Sequence, residues 1–154
     1  MIKIKFLLVA LSMTSITMGQ VVNFSGDWKL NSSKSKLNEQ FTMAPKEIIL
    51  IQNGNDMNSE RHASFQDQEV TINDKYSLDG KECINSGWQD TQKKSTAVWS
   101  DDKKSLKIIT KFPLNDGEMT ITEVYRMDGD NMIIESKSSS SFGDVSETMI
   151  YDKK

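Results

Sequence analysis

The sequence predicts an all-β chain, an antiparallel up-and-down barrel of eight or nine strands. Three observations carry this. Short runs in which apolar and polar residues alternate recur along the chain. Turns rich in Gly, Asp and Asn separate them at close intervals. No segment shows a sustained helical period. A two-sheet sandwich fits the same pattern, but closure removes the free edges that so many strands would expose.

The first strand starts at the stretch Phe24-Ser25-Gly26-Asp27-Trp28-Lys29-Leu30-Asn31. Phe24, Gly26, Trp28 and Leu30 fall on one face, and four polar residues fall on the other. Gly26 leaves room for a bend or a close backbone approach. Trp28 offers a large apolar plug whose indole N–H needs a partner. The polar residues 32–40, with Phe41 to Pro45, form a long connection, read either as holding one helical turn capped by Ser33 or Ser35, or as a solvated linker.

Residues 46–53 hold Ile48, Ile49, Leu50 and Ile51, a run with no polar face that predicts a strand covered on both sides. Asn53-Gly54-Asn55-Asp56 is a hairpin turn. In 57–65, Met57, Ser59, Arg61, Ala63 and Phe65 share one side. Residues 70–73 and 75–78 read as two short strands, closed by Asp79-Gly80. Segments 82–86, 94–100, 105–112, 118–127, 132–140 and 145–152 complete the series. Their turns include Asp101-Asp102-Lys103, Asn115-Asp116-Gly117, Asp128-Gly129-Asp130 and Phe142-Gly143-Asp144.

Residues 1–19 read as a secretory signal peptide, leaving 20–154 as one domain. Lys3 and Lys5 precede an apolar run too short to span a bilayer, and Thr17 and Gly19 suit a cleavage site. The expected location is secreted or periplasmic. The only cysteine, Cys83, is far from the leader, so no lipid anchor is implied, and it can form no internal disulfide. It reads as a small packed hydrophobe. The rest of the chain has no run long enough for stable membrane insertion through a helix.

The formal charge is −3, or −5 without Lys3 and Lys5. An acidic balance with no basic cluster argues against nucleic acid and anionic membrane surfaces. The lysine pairs at 93–94, 103–104 and 153–154 read as solvated turn and edge residues.

The opening Gly26-x-Trp28-x-Leu30-Asn31 with Ser33-Lys34-Ser35-Lys36 resembles small secreted bacterial lipocalin-like domains. Tyr76-Ser77-Leu78-Asp79-Gly80-Lys81-Glu82 resembles their middle hairpin, and Glu123-Val124-Tyr125-Arg126 and Met149-Ile150-Tyr151-Asp152-Lys153-Lys154 their last strands. The resemblance covers most of residues 20–154 and implies a calycin-type barrel with a small apolar ligand in its lumen. The Thr-Asp-Tyr-like turn of many lipocalins has no counterpart here. The resemblance also implies a structural motif of Gly26, Trp28 and a late arginine stacked on the tryptophan. Arg126 is the only late arginine.

No nucleophile elbow, phosphate-binding glycine loop or HExxH motif is present, and the carboxylate pairs fall in turns. The chain therefore reads as a binding protein rather than an enzyme, and calls for no cofactor or metal. His62 lacks partners at zinc spacing and reads as a surface residue. Asp128-Gly129-Asp130-Asn131 reads as a turn, not a calcium loop. Six scattered methionines after the leader read as core filler.

If Trp28 plugs one end, inward positions include Leu50, Tyr76, Ile108, Ile121, Tyr125, Ile134 and Met149. Arg61 and Glu123 join them, giving a partly polar lumen or an ion pair, unless those strands sit in the opposite register. Ser59, Ala63, Thr110, Ser136 and Ser138 are small or polar inward candidates that leave space, or, for the serines around Ser138, stand solvated at a strand end. The residues expected to line a ligand site are Arg61, Ala63, Tyr76, Trp99 and Tyr125. The second reading is an interaction module, such as a barrel-type inhibitor of a protease or other envelope protein, acting through the 32–45 loop.

Overall fold

The computed structural model describes residues 20–65 and 67–154. The expected leader, 1–19, lies outside the described residues. Ten strands follow one another with no helix among the described residues: β1 Gly26–Leu30, β2 Glu47–Asn53, β3 Asp56–Phe65, β4 Gln68–Ser77, β5 Cys83–Ser86, β6 Gln92–Trp99, β7 Ser105–Leu114, β8 Gly117–Asp128, β9 Asn131–Ser140 and β10 Gly143–Lys153. All neighbours pair antiparallel in one sheet, ordered β4-β3-β2-β1-β10-β9-β8-β7-β6-β5. The sheet curls until β4 and β5 face each other.

The strand count exceeds the expected eight or nine. Separately, the two short strands expected at residues 70–73 and 75–78 are one: Asp74 reads as a break between them, yet β4 runs unbroken from Gln68 to Ser77. Asp74 points inward with Tyr76 and is buried against Lys93. A turn-forming residue is tolerated mid-strand because its charge is matched inside. β2 also departs from expectation. Ile48 and Leu50 are fully buried, but Ile51 is 59% exposed on the outer wall. Four consecutive apolar residues do not guarantee cover on both faces, since the pleat still sends alternate side chains outward.

The barrel is sealed at one end. Phe24 and Trp28 are buried there with Leu78, Leu106, Met132 and Tyr151. Trp28 donates its indole N–H to the Phe24 carbonyl at 2.9 Å, which meets the expected need for a partner. Phe24 stacks on Trp99 (5.9 Å, 8°) and meets Tyr125 edge-on (6.0 Å, 67°). Val22 N–H donates to the Lys103 carbonyl, tying the N-terminal segment across this end. Gly26 has φ +149° and pairs with Leu50. That φ disfavours any residue with a side chain, and an added Cβ would also lie 3.2 Å from Lys153 Cε, near the flexible end of that side chain.

The opposite end is the mouth. The long β1–β2 connection folds over its β10 side. Lys36 bridges Thr148, the Asn38 N–H donates to Glu147 Oε1 at 2.8 Å, and the Tyr151 hydroxyl donates to the Pro45 carbonyl at 2.9 Å. The connection contains turns rather than a helix.

Candidate functional site: a graded, polar-centred lumen

Strand register assembles the interior. Arg61 on β3 stands opposite Ile48 and Ile72, and Glu123 on β8 opposite Ile108 and Ser136. The two meet across the barrel. Arg61 Nη1 donates to Glu123 Oε1 at 3.0 Å and Nη2 to Oε2 at 2.8 Å. Their side chains are only 12% and 8% exposed. Arg61 Nη2 also donates to the Tyr125 hydroxyl, and Nε to Ser59 Oγ at 3.3 Å. Tyr125 in turn donates to Glu123 Oε2 at 3.3 Å. Burial alone would lower the Arg61 pKa, but the adjoining Glu123 carboxylate more than reverses this and holds the guanidinium charged. Burial pushes the Tyr125 hydroxyl well above its ordinary range, so it stays protonated.

A second buried pair lies toward the seam. Lys93 Nζ straddles the Asp74 carboxylate at 2.8 and 2.9 Å, and the Tyr76 hydroxyl donates to Asp74 Oδ2 at 3.1 Å. The lysine's hydrogen bond goes to Oδ2, leaving Oδ1 with an ion-pair contact but no hydrogen bond. Lys93 also lies 5.3 Å from the Phe112 ring centre. The lysine pair at 93–94 is thus not wholly solvated: Lys93 is 4% exposed and structural. Asp74, Lys93 and Asn85 were not among the expected site residues. The signal for Asp74 was its parity with Tyr76, two residues on.

The expected lining residues separate by depth. Arg61, Tyr76 and Tyr125 join the buried polar centre. Ala63 is buried on the same inward face, nearer the mouth. Trp99 packs on Phe24 at the sealed end, and Gly26 and Trp28 belong to that end too. Arg126 does not stack on Trp28. It points outward and approaches Glu135 at 3.6 Å, while Lys153, whose register partner is Trp28, places Nζ 5.8 Å from the indole ring. Arg126 follows Tyr125 directly, so the pleat sends it to the opposite face. His62 sits half-buried beside Glu60 and Thr71 on the outer wall. Cys83 is a half-buried free thiol.

Burial is graded along the interior. Most inward residues of the sealed half are nearly inaccessible, with Leu30, Trp99 and Met127 half-buried at its rim, whereas toward the mouth Ile72, Phe112, Ile121, Ser136, Ser138 and Val145 are half-buried. Ile72 and Ser136 are the register partners of Arg61 and Glu123, so solvent reaches the level of the ion pair. Above it stand small groups, including Ala63 and the hydrogen-bonded Ser95 and Thr110. Phe41, Phe65 and Trp88 form an edge-to-face chain at the mouth, with centroids 6.3 and 5.5 Å apart. Two open grooves of about 410 and 360 Å³ lie on the outer wall rather than in the lumen, the larger beside the β4–β5 seam and the smaller over β8–β10.

No protein-family model matches the chain, and no curated protein matches it. Solved structures do. A secretory abundant heat soluble protein from Ramazzottius varieornatus superposes with TM-score 0.62 at 16% identity, covering 85% of this chain and 95% of that one. Lipid binding protein 8 of Caenorhabditis elegans gives 0.63 at 10%, covering 93% and 100%. A Schistosoma mansoni fatty acid binding protein in complex with arachidonic acid gives 0.60 at 18%, covering 85% and 96%. At these identities the likeness establishes the fold: the chain is a calycin-like antiparallel β-barrel.

Proposed function

We propose that the chain is an exported barrel protein that binds a small, mostly apolar molecule in its lumen and performs no chemistry on it. The observation that carries this reading is the graded interior: one end sealed by Phe24 and Trp28, the other lined by small or half-buried inward residues above a buried polar centre. A pocket with apolar walls and a few convergent polar groups suits burial of an apolar body with one oriented polar head. The schistosome neighbour holds arachidonic acid, and a zebrafish ileal bile acid-binding protein of the same fold holds cholic acid. Export rests on Lys3, Lys5 and the apolar run that follows.

Burying about 300 Å² of apolar ligand surface is worth roughly 7 kcal/mol before the costs of association. That gross figure corresponds to a Kd of about 10 μM, so after those costs a simple probe is expected to bind at high-micromolar concentrations or weaker. Titration with the uncharged fluorophore N-phenyl-1-naphthylamine tests this. Saturation at one molecule per chain is the expected result, and no saturable enhancement would refute the lumenal reading.

A second reading has its own observation. Phe41 and Trp88 are 54% and 55% exposed at the mouth, and Phe142 is 84% exposed on the β9–β10 turn. Such aromatics on loops suit a protein partner. In that case substituting Phe41 and Trp88 would abolish partner capture and leave probe binding intact.

A further inference from the structure

We propose that Glu123 occupies the Arg61 guanidinium fork through which the lumen would otherwise bind a carboxylate, so that the barrel selects uncharged amphiphiles with a hydrogen-bond-donating head and rejects free carboxylates. The inference rests on the lumenal reading above and specifies its ligand class.

Arg61 is the one arginine of the polar centre, and its fork is already filled. Two N–H groups face the two Glu123 oxygens, a third reaches the Tyr125 hydroxyl, and Nε reaches Ser59. Of five donors, one on Nη1 remains. An incoming carboxylate would find no free pair of parallel N–H groups, which is the geometry that makes arginine a good anion receptor.

Charge leads to the same conclusion. Arg61 balances Glu123, and Lys93 balances Asp74. Glu147, on the inward face of β10 beside Ser136, adds a further carboxylate held by the Asn38 N–H. Among the described residues, the polar centre therefore carries no spare cation to offset the desolvation of a ligand anion. Acceptor capacity, by contrast, is left over. Glu123 Oε1 takes only the Arg61 bond, and an ionised carboxylate oxygen accepts two. Its register partner Ser136 is small and only half-buried, so no bulky side chain stands beside Glu123 on that strand. A head that donates, such as a hydroxyl or a primary amide, can complete this centre without displacing any part of it.

Competition against bound N-phenyl-1-naphthylamine at about pH 8 tests the assignment, with dodecan-1-ol, dodecanamide and dodecanoate as competitors. The alcohol and amide should displace the probe from the wild-type protein at concentrations at least about tenfold lower than dodecanoate, because only the anion arrives with an unpaired charge. Glu123→Gln frees the guanidinium and should raise dodecanoate affinity about tenfold or more while leaving the alcohol within a few-fold. Dodecanoate binding to the wild type as tightly as the alcohol would overturn the inference and leave the lumenal reading standing. A folded Glu123→Gln variant with unchanged selectivity would overturn it too. If that variant does not fold, the wild-type ratio decides alone. Failure of the probe and every dodecyl ligand to bind would overturn the lumenal reading itself, and this inference with it.

Discussion

The Asn85 side chain closes the barrel by binding the backbone of Lys75 twice. Its Oδ1 accepts from the Lys75 N–H at 2.9 Å and its Nδ2 donates to the Lys75 carbonyl at 3.0 Å. The sheet order ends at β4 and β5, so at this point a side-chain amide does the work of a missing strand residue. Further along, Gly80 N–H donates to the Ala97 carbonyl. Asn85→Ala should cost about 1–3 kcal/mol, since it leaves both Lys75 groups without partners. Amide exchange should accelerate at Lys75 while the β7–β8 ladder stays protected. Unchanged exchange at Lys75 would show that the seam is held by something else.

The Arg61–Glu123 pair leads to a prediction about stability. Arg61→Met or Glu123→Leu alone should each destabilise by about 3–5 kcal/mol, because each strands a buried charge. The double variant should recover most of that loss, since a buried pair often breaks even against apolar replacements. Denaturant titration of all four proteins gives the coupling energy. Additive losses would mean that the two charges do not depend on one another.

Trp28→Ala should cost about 3–5 kcal/mol. The indole is 2% exposed, fills the sealed end and donates to Phe24. A loss below about 1 kcal/mol in chemical denaturation would remove Trp28 from the core.

Alkaline pH should unfold the protein cooperatively. Burial raises the hydroxyl pKa of Tyr76, Tyr125 and Tyr151. In the unfolded chain these groups ionise near pH 10. Their raised folded values mean that the native state keeps protons the unfolded state releases. This contribution is complete below about pH 10 and is lost as pH rises above it, by up to about 1.4 kcal/mol per pH unit for each tyrosine. Tyrosinate absorbance should therefore appear together with loss of the β-sheet circular dichroism signal. Titration of all three tyrosines at the ordinary pH, with the fold intact, would contradict their burial.

Much of this interior was legible because a strand has period two. Parity alone put Arg61, Glu123 and Tyr125 on the inward face, and it offered an ion pair as one outcome. The same parity argued against Arg126, which adjoins Tyr125 and so had to face outward, where it meets Glu135. Lys153 was the cation with the correct parity, two residues beyond Tyr151. Asp74 and Lys93 were missed because each looked like surface chemistry alone: a polar break between two short strands and a lysine pair. Their burial depends on meeting each other across 19 residues, which no local pattern encodes. Asn85 was missed for a similar reason, since its role exists only where two sheet edges converge. The outward exposure of Ile51 follows from the pleat, but the apolar run around it concealed the alternation.

The central claim is that the lumen is the binding site. Ser138 tests it most directly, because it is half-buried on the inward face opposite Ile121 and Val145, away from both ion pairs. Ser138→Phe should fill the space above the polar centre with no buried charge disturbed. Titration of N-phenyl-1-naphthylamine into this variant should lose saturable binding, or weaken it at least about tenfold, while circular dichroism and thermal midpoint stay close to those of the wild type. Undiminished one-to-one binding by a folded Ser138→Phe variant would place the site outside the barrel and contradict the account.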